Sequence, residues 1–434
     1  MKIRAITIGL QFPFYQPSGS KNLESVLDVQ FQSFKELLDE LKERFEKIGI
    51  EIQTTRVCTQ PLYQKEGNPF LKESSNFNEN LNNLRKGIEL LISYCKKANI
   101  DYVACLTILA DEFENYNLTE QKFLKKVPKI LEDYENLFTS IQVASQKYGI
   151  NLLSIKDCAK IIKQIPLNKP FNSHKFCVNV NVPEDTPFFP ASYHLSDKPK
   201  FSIALEMADE VVSTIKQSDS LNDFQKNLKS KFEEIFKNIS NICENCEKKF
   251  NIQFHGIDFS PAPFPEDLKS IGKVIEEMGI EYFGAQGTFF AVYMIMNIIK
   301  SLNIKKIGFS GFMQPILEDS ILSKRLDEGK YTIDSLLLYS ATCGTGIDCV
   351  PLQGDVSERE IFYILLDLAS LGLSLEKPLT ARLMVVPGKK ENEKSDFESI
   401  YFCNSQMMKL KRLTKAPSND LFENAEKIKF IRFL

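Results

Sequence analysis

Short apolar runs rich in Ile, Val, Leu and Phe recur from one end of this chain to the other, with segments of helical periodicity between them. No feature constrains the fold more. Runs at 2–9, 50–57, 102–109, 137–143, 176–182, 200–206, 251–259, 304–310 and 380–386 read as strands. Helices are expected near 34–48, 80–97, 155–164, 222–249, 265–278, 287–301 and 357–371. In the first of these, Phe34, Leu37, Leu38, Leu41, Phe45 and Ile48 share one face, and Gly49 stops it. A Pro/Gly/Ser loop at 12–20 precedes it. Strands that alternate with helices need crossover connections, so the pattern predicts a largely parallel sheet with helices packed outside it.

The alternation continues without an interdomain linker, which predicts one domain over residues 1–434. The sharpest change in composition is at 217–249, rich in Lys, Glu and Asn with a narrow apolar stripe. It reads as a charged helix on the exterior, and 388–396 reads as a charged surface loop. With 54 Lys+Arg against 57 Asp+Glu, the net charge of −3 gives no pull toward nucleic acid. Arg4 interrupts any signal-peptide core, and the most apolar stretch, 291–299, is too short to span a membrane. The ten cysteines form no disulfide framework and are expected as free thiols, which together with the missing export signal points to the cytoplasm. Histidine occurs only at 174, 194 and 255, which argues against a multi-histidine metal site.

Several strand ends carry polar clusters. After 176–182 come Asn181, Glu184, Asp185 and then His194, where α/β sheets place ligands. The carboxylates suit a hard cation and the imidazole suits proton transfer, but the residues alone favour a proline-fixed turn with a structural histidine, since Asp and Pro are common turn formers. Asp258 and Ser260 end the next run on one side, as ligand groups or as caps of the following helix. Gln286 and Thr288 flank Gly287 before an apolar helix, a weak anion-site pattern that lacks the spacing of any phosphate-binding motif. Glu318 and Asp319 open a further helix, either as dipole complements or as pocket carboxylates. Cys243 and Cys246 form a lone CxxC inside a charged helix, with no second ligand pair for zinc. Cys343 precedes Gly344-Thr345-Gly346, a tight reversal whose cysteine is a nucleophile, a radical carrier or a small apolar filler. Arg382 sits in the last strand and needs an anionic partner if it faces inward.

The stretches KIRAITIGL, NVPEDTPFFPASYH, IDFSPAPFPE, GFSGFMQPILEDS, SLLLYSATCGTGIDCVPLQGD, KPLTARLMVVPGK and YFCNS run in order along nearly the whole chain. Together they resemble domain of unknown function 711, a family described as pyruvate-formate-lyase-like. The resemblance implies a ten-stranded α/β barrel of two parallel five-stranded halves, of the pyruvate-formate-lyase and ribonucleotide-reductase class. It also implies an internal finger loop at 340–350 with Cys343 at its tip. It carries no established reaction. This chain has Ala204 to Asp209 where relatives are Gly-rich, and Gln286 where they carry His. Residues 405–434 contain no glycine, so the glycyl-radical storage residue of that class is missing there.

These residues together suggest a non-radical enzyme on a small polar metabolite. Cys343 is the candidate nucleophile and His194 the candidate acid/base. Asn181, Ser260, Gln286, Thr288, Arg382 and Arg56 are candidates for substrate binding. Glu184, Asp185, Asp258, Glu318 and Asp319 are candidates for a divalent cation. A small-molecule-binding or regulatory protein that has lost its chemistry is the alternative, and self-association stays open.

Overall fold

The computed structural model describes residues 1–14, 21–62, 76–113, 118–415, 421–422 and 427–428. Most of the expected loop at 12–20 therefore lies outside the described residues. The strands are β1 (Lys2–Leu10), β2 (Thr55–Thr59), β3 (Tyr102–Ala104), β4 (Ile108–Leu109), β5 (Leu137–Ser145) and β6 (Gly149–Asn151), followed by β7 (Phe176–Val180), β8 (Lys200–Glu206), β9 (Gln253–Ala262), β10 (Gly346–Gln353), β11 (Leu379–Val386) and β12 (Lys427–Ile428). The main sheet runs β10-β11-β7-β5-β3-β2-β1-β8-β9, with β4, β6 and β12 on its margin.

Three parallel sets meet in this sheet. Strands β1, β2, β3, β5 and β7 are mutually parallel, as are β8 with β9 and β10 with β11. The sets join antiparallel where β1 meets β8 and where β11 meets β7. Strands β9 and β10 form the open edges, and the segment between them makes single bridges, Lys306 to Ile257 and Pro315 to Asp348.

Helices cover one face of the sheet. In Lys21–Glu46 the buried residues Leu27, Phe31, Phe34, Leu38, Leu41 and Phe45 repeat at three- and four-residue spacing, which sets one stripe against the strands. The expected charged helix is Leu221–Phe250. Ser220 caps its start, and its buried stripe runs Phe224, Leu228, Phe232, Ile235, Ile239, Cys243, Cys246. The CxxC thiols are thus core filler at helical spacing, and all ten cysteines are free. One apolar cluster extends from Ile3 to Leu410.

Three expectations need correction. The run 304–310 is not a strand, because the Asp258 carboxylate takes the Phe309 and Ser310 amides (2.7 and 2.9 Å) that a ladder would use. Gly308 and Ser310 also turn left-handed there, at φ 60° and 38°. The helix expected over 265–278 shortens to Ile271–Glu277 after a 3-10 turn. The segment 340–350 is not one loop: a helix, Ile333–Ser340, leads through a turn at 341–345 into β10. That turn packs tightly. A Cβ on Gly344 would lie 2.6 Å from the Gly311 Cα and 2.9 Å from the Phe309 carbonyl, so only glycine fits.

Candidate functional site

A cavity of about 380 Å³ opens on the face of the sheet away from the main helices. Early residues of four parallel strands supply Arg4, Arg56, Tyr102 and Phe138. Asp348 of β10 and Thr380 and Arg382 of β11 close the opposite side, and residues 399–402 lie across it. Arg4 reaches the cavity through a local irregularity. Strict alternation would place it with Ile6 and Ile8 against the helices, but the register shifts between Ile3 and Ala5 and turns it inward.

Three arginines and three carboxylates organise the polar side. Arg382 donates to both oxygens of Asp348 (2.6 and 2.9 Å) and to Glu318 at 2.9 Å. Arg4 donates to the other Glu318 oxygen at 2.5 Å, to Glu206 at 3.3 Å and to the Pro263 carbonyl at 3.0 Å. Burial pushes the Glu318 carboxyl up, but the two guanidinium groups more than offset this and hold it below the usual glutamate range. Glu206 is raised by burial despite Arg4. Two arginines thus serve three carboxylates.

Arg56 stands apart. Its Nε donates to Thr54 at 2.9 Å and its guanidinium lies over the Phe189 ring at 5.1 Å, with no carboxylate partner among the described residues. Burial, then repulsion from Arg4, lowers its pKa to about 10, so it stays cationic at neutral pH. A desolvated guanidinium with free N–H donors attracts an anion.

The remaining wall is aromatic. Phe138 contacts Tyr102, His174 and Phe189 with ring centroids 5.4, 5.4 and 5.6 Å apart. His174 lies 4.2 Å from Phe171, centroid to centroid, and its Nδ1 bonds the Phe171 carbonyl. A carbonyl only accepts, so Nδ1 carries the proton and Nε2 is left as an acceptor. Burial lowers this imidazole to about 3, which keeps it neutral.

Of the residues singled out from sequence, only Arg56, Arg382 and Glu318 line this cavity. The five expected cation ligands are not brought together, and no group of three or more metal-ligating side chains occurs among the described residues. The four besides Glu318 are engaged elsewhere. Asp258 accepts from Ser260 (hydroxyl and amide) as well as the Phe309 and Ser310 amides. Asp319 caps the helix Ser320–Asp327 and also holds Ser270 and the Ile271 amide. Glu184 sits half-exposed near Lys200, at 3.8 Å.

Asp185 and His194 form a pair elsewhere, Oδ1 to Nδ1 at 2.6 Å, with Lys200 at 3.2 Å from the other carboxylate oxygen. Burial raises Asp185, and His194 and Lys200 more than offset it, leaving the carboxyl below its usual value. His194 is fully buried against Gly9, not at an open mouth. Asn181 ties Gln146 to the carbonyls of Gly372 and Lys377. Ser260 accepts from the Gly311 amide, Thr288 accepts from the Gly284 amide, and Gln286 is exposed. Cys343 is buried in the main apolar core, not on the cavity, while Lys377 donates to its carbonyl. Arg382, expected to need an anionic partner, is committed to Asp348 and Glu318. The cysteine that does line the cavity is Cys177, whose thiol is raised by burial.

Sequence reasoning missed Arg4, Asp348 and His174. A charge inside an otherwise apolar strand was the available signal for Arg4; the other two lacked one.

A family model described as "Uncharacterised ACR (DUF711)" matches residues 1–403. A UPF0210 protein of Pyrobaculum aerophilum is 26% identical over 432 residues, covering 96% of this chain and 92% of its own. A UPF0210 protein of Methanocaldococcus jannaschii is 26% identical over 409 residues (92% and 88% covered). One of Lactobacillus helveticus is 24% identical over 411 (92% and 89%).

Proposed function

The chain belongs to the DUF711 family, and on that footing we propose that it holds a small anionic metabolite in this cavity, anchored by Arg56. The observation that carries the reading is a half-buried guanidinium facing a concave, aromatic-walled space without a carboxylate partner among the described residues. We read the site as that of a non-radical enzyme. The seating of Cys343 in the apolar core, away from the cavity, supports polar rather than thiyl chemistry. The neutral His174 on the same cavity wall supports a group that exchanges a hydrogen bond with the ligand. A binding protein without turnover is the second reading, favoured by the pairing of every other charged side chain on the cavity wall.

On architecture, we read the chain as one domain whose sheet rolls into a pyruvate-formate-lyase-like barrel. The antiparallel joints on both sides of the β1–β7 set and the two single bridges between β9 and β10 support this. Ten free thiols favour a reducing compartment, the cytoplasm. Among the described residues no helix is long and apolar enough to cross a membrane.

The test is a thermal-shift screen of small carboxylates and phosphates on wild type and Arg56→Gln. Stabilisation by mass action is expected for at least one class and lost in the variant. Equal responses from both proteins refute the anchor. Incubating wild type with the binders and analysing products by mass spectrometry then separates the readings. Unchanged binders rule out turnover and leave the binding protein.

A further inference from the structure

We propose that the ligand is a planar, conjugated monocarboxylate bearing a hydroxyl or N–H donor, a class represented by the hydroxybenzoates. This rests on the reading of the cavity as an anion site and goes beyond it by naming the chemistry selected.

Three independent features of the wall carry the inference. The first is charge. Arg4 and Arg382 are shared among Glu206, Glu318 and Asp348, so that array holds one more carboxylate than guanidinium groups. Arg56 stands outside that array and meets no carboxylate among the described residues. One negative charge beside Arg56 is therefore favoured, while a second would face the carboxylate excess in a poorly solvated space. A phosphate dianion fits this field badly and a carboxylate fits it well. The carboxylate is also planar, matching the guanidinium fork.

The second feature is shape. Arg56 lies over Phe189, Phe189 packs on Phe138, and Phe138 packs on both Tyr102 and His174, which forms a continuous wall of rings beside the anchor. Such a wall gains more from a flat π-system, stacked or edge-on, than from a saturated ring of equal size.

The third is the hydrogen-bond sense of His174. The Phe171 carbonyl fixes the proton on Nδ1, and Nε2 has no hydrogen bond among the described residues. A neutral acceptor on the wall calls for a donor on the ligand, because leaving it dry and unpaired costs binding energy.

The experiment is isothermal titration calorimetry on the full chain with benzoate, the three hydroxybenzoates, cyclohexanecarboxylate and phenyl phosphate. Benzoate is expected to bind at least about fivefold tighter than cyclohexanecarboxylate, given the extra worth of aromatic contacts. One hydroxybenzoate isomer should bind about fivefold tighter than benzoate, the worth of one net hydrogen bond. His174→Phe should erase the hydroxyl preference and keep benzoate binding. Arg56→Gln should weaken every carboxylate, with Arg56→Lys retaining part. Cyclohexanecarboxylate equal to benzoate, or phenyl phosphate tighter than benzoate, overturns the class assignment while the Arg56 anchor stands. Carboxylates that bind wild type and Arg56→Gln alike overturn the anchor itself. Should a variant fail to fold, the wild-type ratios among these probes still decide the class.

Discussion

Glu318→Gln tests the organisation of the cavity most directly. Glu318 links two arginines, with Arg4 at 2.5 Å on one oxygen and Arg382 at 2.9 Å on the other, and both ends of each ion pair are about 10% exposed. Removing one partner of a buried ion pair costs ~3–5 kcal/mol when a charge is left alone. Neither arginine is left alone here. Arg382 keeps both oxygens of Asp348, and Arg4 keeps Glu206 and the Pro263 carbonyl. The expected loss is therefore smaller, about 2–3 kcal/mol at pH 7. Its pH dependence has a definite sign. The folded carboxyl is held below its ordinary 4.5, so its contribution is full above that value and is lost as pH falls through the depressed one. Glutamine does not titrate, so the gap between wild type and variant should narrow as pH falls below 4.5. The chain has no tryptophan, so urea unfolding is followed by far-ultraviolet circular dichroism. A gap under about 1 kcal/mol at pH 7, or one constant down to pH 3, would show that the two arginines do not depend on Glu318 as argued.

Other outcomes follow from the same contacts. Asp319→Ala should cost ~2–4 kcal/mol, because it strips a helix cap and leaves Ser270 and the Ile271 amide without their acceptor; thermal melts measure it, and Asp319→Asn should cost less. His194→Ala should destabilise the ligand-free protein by ~3 kcal/mol or more, since it breaks a buried pair; a melt within a degree or two of wild type would return His194 to the list of ligand groups. In competitive alkylation read by mass spectrometry, Cys403 should label first, being half-buried where the other nine cysteines are buried, and Cys343 should label slowly; fast labelling at 343 would place its thiol at an open surface.

The sequence by itself determined the layering of this protein. Apolar runs at strand spacing and stripes such as Leu27–Phe31–Phe34–Leu38 depend only on local periodicity and burial, and most of the expected helices and strands appear where that periodicity puts them. It also marked Arg56, Arg382 and Glu318, because a charge in or beside an apolar strand needs a partner wherever it lands. Tertiary structure decided which charges share a space. Asp258 and Asp319 have the same chemistry as Glu318, yet each is consumed by amides that come close only after folding. Arg4 faces the cavity through a shift in register, which depends on how β1 pairs with β8. His174 acquires its acceptor face from one carbonyl, and Arg56 keeps its free charge because no acidic side chain among the described residues pairs with it. Pairing across the sheet is set by long-range contacts that local sequence does not encode, so the cavity and the Arg56 guanidinium in it emerge only with the fold.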